Sequence, residues 1–181
     1  NVPLIIGSNT DEMKLFVYFT KEPHWKDSIY TTITSYGSKI WKSEGVDKIA
    51  EKLSDLPDQA PVYVYLFNYG NSQNNSSSPL IGNWSEKLGA HHGAEIKFFL
   101  GTDKNRWSLL SLMNKDSYSA GRDSLTNAMM MYAKDLLYFG DPNYHKQYPE
   151  WHEFNKNTHI KGLIFDLNEF DHKIKNLDYI L

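Results

Sequence analysis

Pro61-Val62-Tyr63-Val64-Tyr65-Leu66-Phe67-Asn68-Tyr69, closed by Gly70, is the stretch on which the fold turns. Its β-branched and aromatic residues fit an extended chain. Apolar side chains at nearly every position, rather than every second one, point to a strand covered on both faces, as in a parallel sheet with helices above and below. Working outward, residues 3–7 (Pro-Leu-Ile-Ile-Gly) are a second short apolar run ending in glycine, and residues 163–167 (Leu-Ile-Phe-Asp-Leu) are a third strand. The segments between them are helical in pattern. A helix starts at Glu12 with Met13, Phe16 and Val17 on one face and stops at Pro23. Residues 25–56 carry Ile29, Ile33, Tyr36 and Ile40, then Val46, Ile49, Ala50 and Leu53, with Gly37 and Gly45 expected to break the run. Short helices are expected at 94–100, before Gly101, and at 106–113. Ser124 is the expected N-cap of a long helix with Leu125, Met129, Tyr132, Ala133 and Leu136 inward, stopped by Gly140-Asp141-Pro142. Three strands do not make a doubly covered parallel sheet, so the fold class is α/β and the chain reads as the flank of a larger sheet.

Composition removes several classes of function. With 181 residues, 40% hydrophobic and 14% aromatic, the chain has the makings of a packed core. A net charge of -3 offers neither a basic footprint for nucleic acid nor a polybasic patch for anionic lipid. No apolar run reaches the roughly 18 residues of a membrane span. With no cysteine there is no thiol nucleophile and no thiolate-ligated metal, although the compartment stays open. The first residues, Asn-Val-Pro-Leu-Ile-Ile-Gly, read as a strand already under way, so the polypeptide is expected to begin upstream.

In open α/β sheets functional groups collect beyond the carboxyl ends of the parallel strands. Asp11-Glu12 follows the first strand, and His91-His92-Gly93-Ala94-Glu95 follows the second and its Ser/Asn-rich loop at 71–79. A carboxylate and an imidazole so placed can meet above the sheet, the acid fixing the ring tautomer. The bland alternative is a solvated turn and a histidine at a helix start.

Gly7-Ser8-Asn9-Thr10-Asp11-Glu12, the strand from Pro61 to Phe67, Gly89-Ala90-His91-His92-Gly93-Ala94-Glu95-Ile96, and Tyr132 through Gly140-Asp141-Pro142-Asn143 to Pro149-Glu150-Trp151 occur in that order. Together they resemble the C-terminal part of type-B carboxylesterases, the cholinesterase and fungal-lipase branch of the α/β-hydrolases. The similarity runs from about residue 2 to about residue 168, so residues 1–181 are expected to be the C-terminal part of one hydrolase domain without an internal boundary. By resemblance Glu12 matches the catalytic acid and His92, immediately before Gly93, the catalytic histidine. His91 falls at the variable position, and Glu95 reads as support for the histidine loop or for the start of the following helix rather than as a reacting group. The activity implied is hydrolysis of carboxylic esters by a Ser-His-Glu triad, with no cofactor. The partners implied are the N-terminal part of the same domain and a small-molecule ester. The alternative is a non-catalytic cholinesterase-like binding or adhesion protein; the residue at the upstream elbow separates the two.

Departures from the family pattern matter as much. Met13 follows the acid where the family usually has glycine, and the segment between acid and second strand is shorter than usual. No Gly-x-Ser-x-Gly elbow and no glycine-rich oxyanion loop is present. The nearest match, Ser117-Tyr118-Ser119-Ala120-Gly121, lacks the first glycine and follows His92, so it reads as a loop before the Ser124 helix. A metal site at His91, His92 and Glu95 is disfavoured because Gly93 interrupts any regular face and no His-Glu-x-x-His is present. Asp103-Lys104-Asn105 fails as a calcium loop because Trp107 takes a ligand position. Met129, Met130 and Met131 read as packing residues. Sequons at Asn74, Asn75 and Asn83 tilt the expectation toward a secreted or cell-envelope glycoprotein.

Overall fold

The computed structural model describes residues 1–21, 26–71, 79–102 and 111–178. Four strands form one sheet in the order β1 (Leu4–Asn9), β2 (Val62–Phe67), β3 (Gly162–Phe165), β4 (Lys175–Leu177). The first three run parallel, with Leu4 opposite Val62, Asn9 opposite Phe67 and Phe67 opposite Phe165. β4 turns back antiparallel, with Leu177 opposite Gly162, and is an addition to the expected strands. This is the mixed, mostly parallel sheet of a partial α/β-hydrolase fold.

All six residues of β2 are buried, and their alternation builds both layers of the molecule. Tyr63, Tyr65 and Phe67 face Phe98, Leu125, Met129, Tyr132 and Trp151. Val62, Val64 and Leu66 face Val46, Ala50, Phe154 and Leu177. The helices divide accordingly. α1 (Glu12–Thr20), α2 (Asp27–Lys42), a π-turn at Ser43–Asp47 and α3 (Lys48–Ser54) fill the crossover from β1 to β2. α4 (Trp84–Lys87), α5 (Ile96–Phe99) and α6 (Ser119–Phe139) follow β2. The glycine–proline stop after α6 also organises the next segment. Asn143 Oδ1 accepts the Trp151 N–H at 2.7 Å and its Nδ2 donates to the Trp151 carbonyl at 3.1 Å. This seats the indole in the core, where its N–H reaches the Val64 carbonyl at 2.9 Å.

Several expectations change. α2 is one helix through Gly37, and Gly45 lies in the π-turn rather than at a break. A Cβ on Gly37 would stand 2.8 Å from Met13 Cγ, so this glycine lets α1 and α2 approach and makes room for the methionine that follows Glu12. The face that α2 buries is Tyr30, Thr34, Ser38 and Lys42, whereas Ile29, Ile33, Tyr36 and Ile40 are exposed. Polar groups hold that inner face. Ser38 Oγ accepts the Met13 N–H at 3.0 Å, and Lys42 meets Asp47 at 2.6 Å with both side chains buried.

α6 begins at Ser119, because the 3₁₀ turn Asp116–Tyr118 runs directly into it. Ser124 is therefore inside the helix and bonds Asp171 instead of capping, and Ser119 of the false elbow is helical rather than in a loop. Met129 is fully buried while Met130 is 42% exposed. Of the expected helix at 106–113 only the 3₁₀ turn Ser111–Met113 is described. Pro23, Asn74, Asn75 and the 103–105 segment with Trp107 lie outside the described residues; Asn83 is exposed.

Candidate active site

The site forms where the first two parallel strands end. After β1 the chain turns through Thr10 and Asp11, and Thr10 continues the strand pairing by donating its N–H to the Phe67 carbonyl at 2.9 Å. Asp11 is not the solvated turn residue that the sequence suggests. Its main chain donates to the Ala90 carbonyl at 3.0 Å, and its Oδ2 accepts the Ala90 N–H at 3.0 Å and Asn71 Nδ2 at 2.9 Å. Its Oδ1 faces Lys14 Nζ at 3.0 Å. Both main-chain groups of Ala90 are thereby clamped to the turn after β1. The clamp needs Gly89, whose φ of +54° favours glycine and whose Cβ would fall 2.1 Å from Asp11 Oδ2.

Two residues beyond that clamp, His92 reaches Glu12. Nδ1 of the ring lies 2.7 Å from Glu12 Oε2, and the other carboxylate oxygen accepts the Asn9 N–H at 2.7 Å. Because an ionised carboxylate only accepts, the ring carries its proton on Nδ1 and leaves Nε2 free to act as a base. Glu12 is 3% exposed. Burial pushes its carboxyl above the usual range, against the bonds from Asn9 and His92, which pull it down. The His92 side chain is 45% exposed and lies between two rings, Phe16 at 5.1 Å and Trp41 at 5.3 Å between centroids.

Asn9 joins the two loops from beneath. Its Nδ2 donates to the His91 carbonyl at 2.7 Å and to Glu95, so Glu95 supports the histidine loop through Asn9. The His91 ring donates from Nδ1 to the His92 carbonyl at 2.9 Å. Burial holds the His91 imidazole below the ordinary histidine range. Sequence reasoning missed Asn9, Phe16 and Trp41 as parts of this site. Asn9 and Phe16 stand three residues before and four after the acid, and that spacing is the signal that points to them; nothing in the pattern ties Trp41 to it. A cavity of about 820 Å³ lined by Leu56, Val62, Phe154 and Ile160 lies at the opposite end of β2, away from these groups.

The mostly parallel sheet with its helices is that of a partial α/β-hydrolase fold, and Glu12 and His92 meet beyond its carboxyl strand ends. Residues 16–179 match the carboxylesterase family, and the chain belongs to that family. Its class is therefore that of the esterase-like hydrolases. The matched span includes His92 and begins just after Glu12. Among curated proteins none matches this chain. No helix among the described residues is long and apolar enough to cross a membrane.

Proposed function

We propose that this chain contributes the acid and the base of a Ser-His-Glu triad that hydrolyses carboxylic esters, Glu12 being the acid and His92 the base. The observation that carries the reading is the 2.7 Å contact from Glu12 Oε2 to His92 Nδ1, made by a buried carboxylate to a histidine whose side chain is 45% exposed. In this reading His92 Nε2 takes the proton of a serine as its oxygen attacks the ester carbonyl. The imidazolium then returns that proton to the departing alcohol, leaving an acyl-enzyme. His92 next draws a proton from water, which attacks the acyl carbon, and the acid is released as the serine is reprotonated. Glu12 keeps the proton on Nδ1 and stabilises the imidazolium.

The serine and the oxyanion-binding N–H groups come, in this proposal, from the part of the same hydrolase domain that precedes residue 1. Two features support that partner. Among the described residues β1 pairs only with β2, leaving its outer edge for another strand. The apolar side of α2 is exposed at Ile29, Ile33 and Ile40. The exposed Asn83 sequon supports a secreted or cell-envelope location.

The test is Glu12→Gln in the assembled hydrolase, assayed on a soluble activated ester. Gln keeps the size of the side chain but its NH₂ can face the ring and permit the wrong tautomer, so kcat should fall by about 10⁴ with KM little changed. Unchanged kcat in a folded variant contradicts the assignment. A binder rather than an enzyme would show no turnover in the parent protein and a residue other than serine at the elbow.

A further inference from the structure

His92 is tied to Glu12 by one hydrogen bond, and one bond fixes a distance without fixing the plane of the ring. Two aromatic residues supply what it lacks. Phe16 stands one helical turn after Glu12 on α1 and meets the imidazole at 5.1 Å with planes inclined by 42°. Trp41 comes from α2 and meets it edge-on at 5.3 Å and 66°. The two rings also pack on each other at 6.2 Å and 24°, so the imidazole and the two rings form a triangle of mutual contacts.

The end of α2 is built to hold this arrangement. Lys42, the residue after Trp41, is 2% exposed and bonds both carboxylate oxygens of Asp47, at 2.6 and 2.7 Å across the π-turn. That buried pair anchors the last helical turn at the residue next to Trp41. In this chain Trp41 is 41% exposed, whereas Trp151 is fully buried. The ring–ring contacts of Trp41 run to the imidazole and to Phe16.

We propose that Trp41 is a positioning residue that holds the His92 ring in the plane needed for proton transfer, an inference that rests on the triad reading above. Edge-on packing favours one orientation of the ring over rotation about its Cβ–Cγ bond. A nucleophile presented from outside this chain then finds Nε2 already aimed.

The experiment compares Trp41→Leu, which keeps apolar bulk without a ring, with Trp41→Phe, which restores one, in the assembled hydrolase with His92→Ala alongside. Trp41→Leu should lower kcat on a small acetyl ester by roughly ten- to a hundredfold with KM little changed, and Trp41→Phe should recover most of it. In ¹H–¹³C spectra the His92 ring resonances should move in Trp41→Leu, through loss of the indole ring current, while the circular dichroism stays that of the parent. Should the leucine variant fail to fold, Trp41→Met serves the same comparison. Unchanged kcat in the leucine variant, an equal loss in the phenylalanine variant, or a rise in KM confined to large apolar esters would each overturn the positioning role. Turnover surviving in His92→Ala would instead overturn the triad itself.

Discussion

Two places in this molecule look alike at the level of side chains. In both, a buried carboxylate, Glu12 or Asp135, stands 2.7 Å from Nδ1 of a histidine, His92 or His145, whose side chain is 45% or 42% exposed. In both, the imidazole is flanked by a pair of rings: Phe16 and Trp41 in one, Phe139 and Tyr144 in the other. The difference lies in what each pair connects. Glu12 and His92 are 80 residues apart and join the ends of two adjacent parallel strands. Asp135 and His145 are 10 apart, and the second oxygen of Asp135 accepts the His145 main-chain N–H at 3.0 Å. That pair stitches the end of α6 to the turn after it. On the proposed reading, a carboxylate and an imidazole in contact do not by themselves make a catalytic site. What sets the first pair apart is its place beyond the strand ends, where a third group can be brought to Nε2.

Exchanging the two histidines breaks the comparison most sharply. In the assembled hydrolase His92→Ala should lower turnover of a soluble ester by a factor on the order of 10⁴ or more, whereas His145→Ala should change it by less than about twofold. Melting temperatures should fall for His145→Ala, which frees a buried carboxylate. Comparable losses of turnover at the two positions would mean that location does not separate the pairs.

The clamp beneath the first pair gives the next largest effect. Asp11→Asn removes the carboxylate partner of Lys14: with the amide oxygen kept on Ala90 and Asn71, the NH₂ group faces the Lys14 ammonium. Unfolding experiments should show a loss of about 3–5 kcal/mol, the usual cost of breaking a buried ion pair. Among the described residues no comparable clamp ties the second pair to a neighbouring strand. A neutral result at Asp11 would show that Ala90 is held by the rest of the histidine loop.

These contrasts also explain what could be read in advance. β1, β2 and β3 were legible because a continuous apolar run bounded by glycine has few other uses. β4 was not, since Lys175-Asn176-Leu177 offers one apolar residue and owes its conformation to the edge of β3. The buried face of α2 was misread because periodicity assumes that the apolar stripe turns inward, while Thr34, Ser38 and the Lys42–Asp47 pair satisfy one another inside. Glu12 and His92 were legible as residue types beyond strand ends and gained their assigned roles from a family resemblance. Asp11 looked like a surface turn residue, because nothing in the sequence shows that Gly89 and Ala90 close over it.

The smallest expected effect is a pH dependence at His91. Its folded-state affinity for protons is lowered by burial, so the unfolded chain binds the proton more readily, and stability is lost as pH falls through and below the ordinary histidine range. Denaturant titrations at about pH 7 and about pH 5 should show a shallower loss on acidification for His91→Gln than for the parent. Glu12 works in the opposite sense. Its raised carboxyl holds a proton more tightly when folded, so its contribution falls as pH rises through the carboxylate range. An acid-side loss identical in parent and His91→Gln would remove His91 as its source.

The claim that Glu12 and His92 act as one unit is tested most directly by a double-mutant cycle on kcat, using Glu12→Gln, His92→Ala and the two together. If the acid works only through the imidazole, it has nothing left to orient once the ring is gone, and the double variant should be no slower than His92→Ala alone. Losses that multiply, so that the double variant is slower than His92→Ala by the full factor seen in Glu12→Gln, would contradict that account.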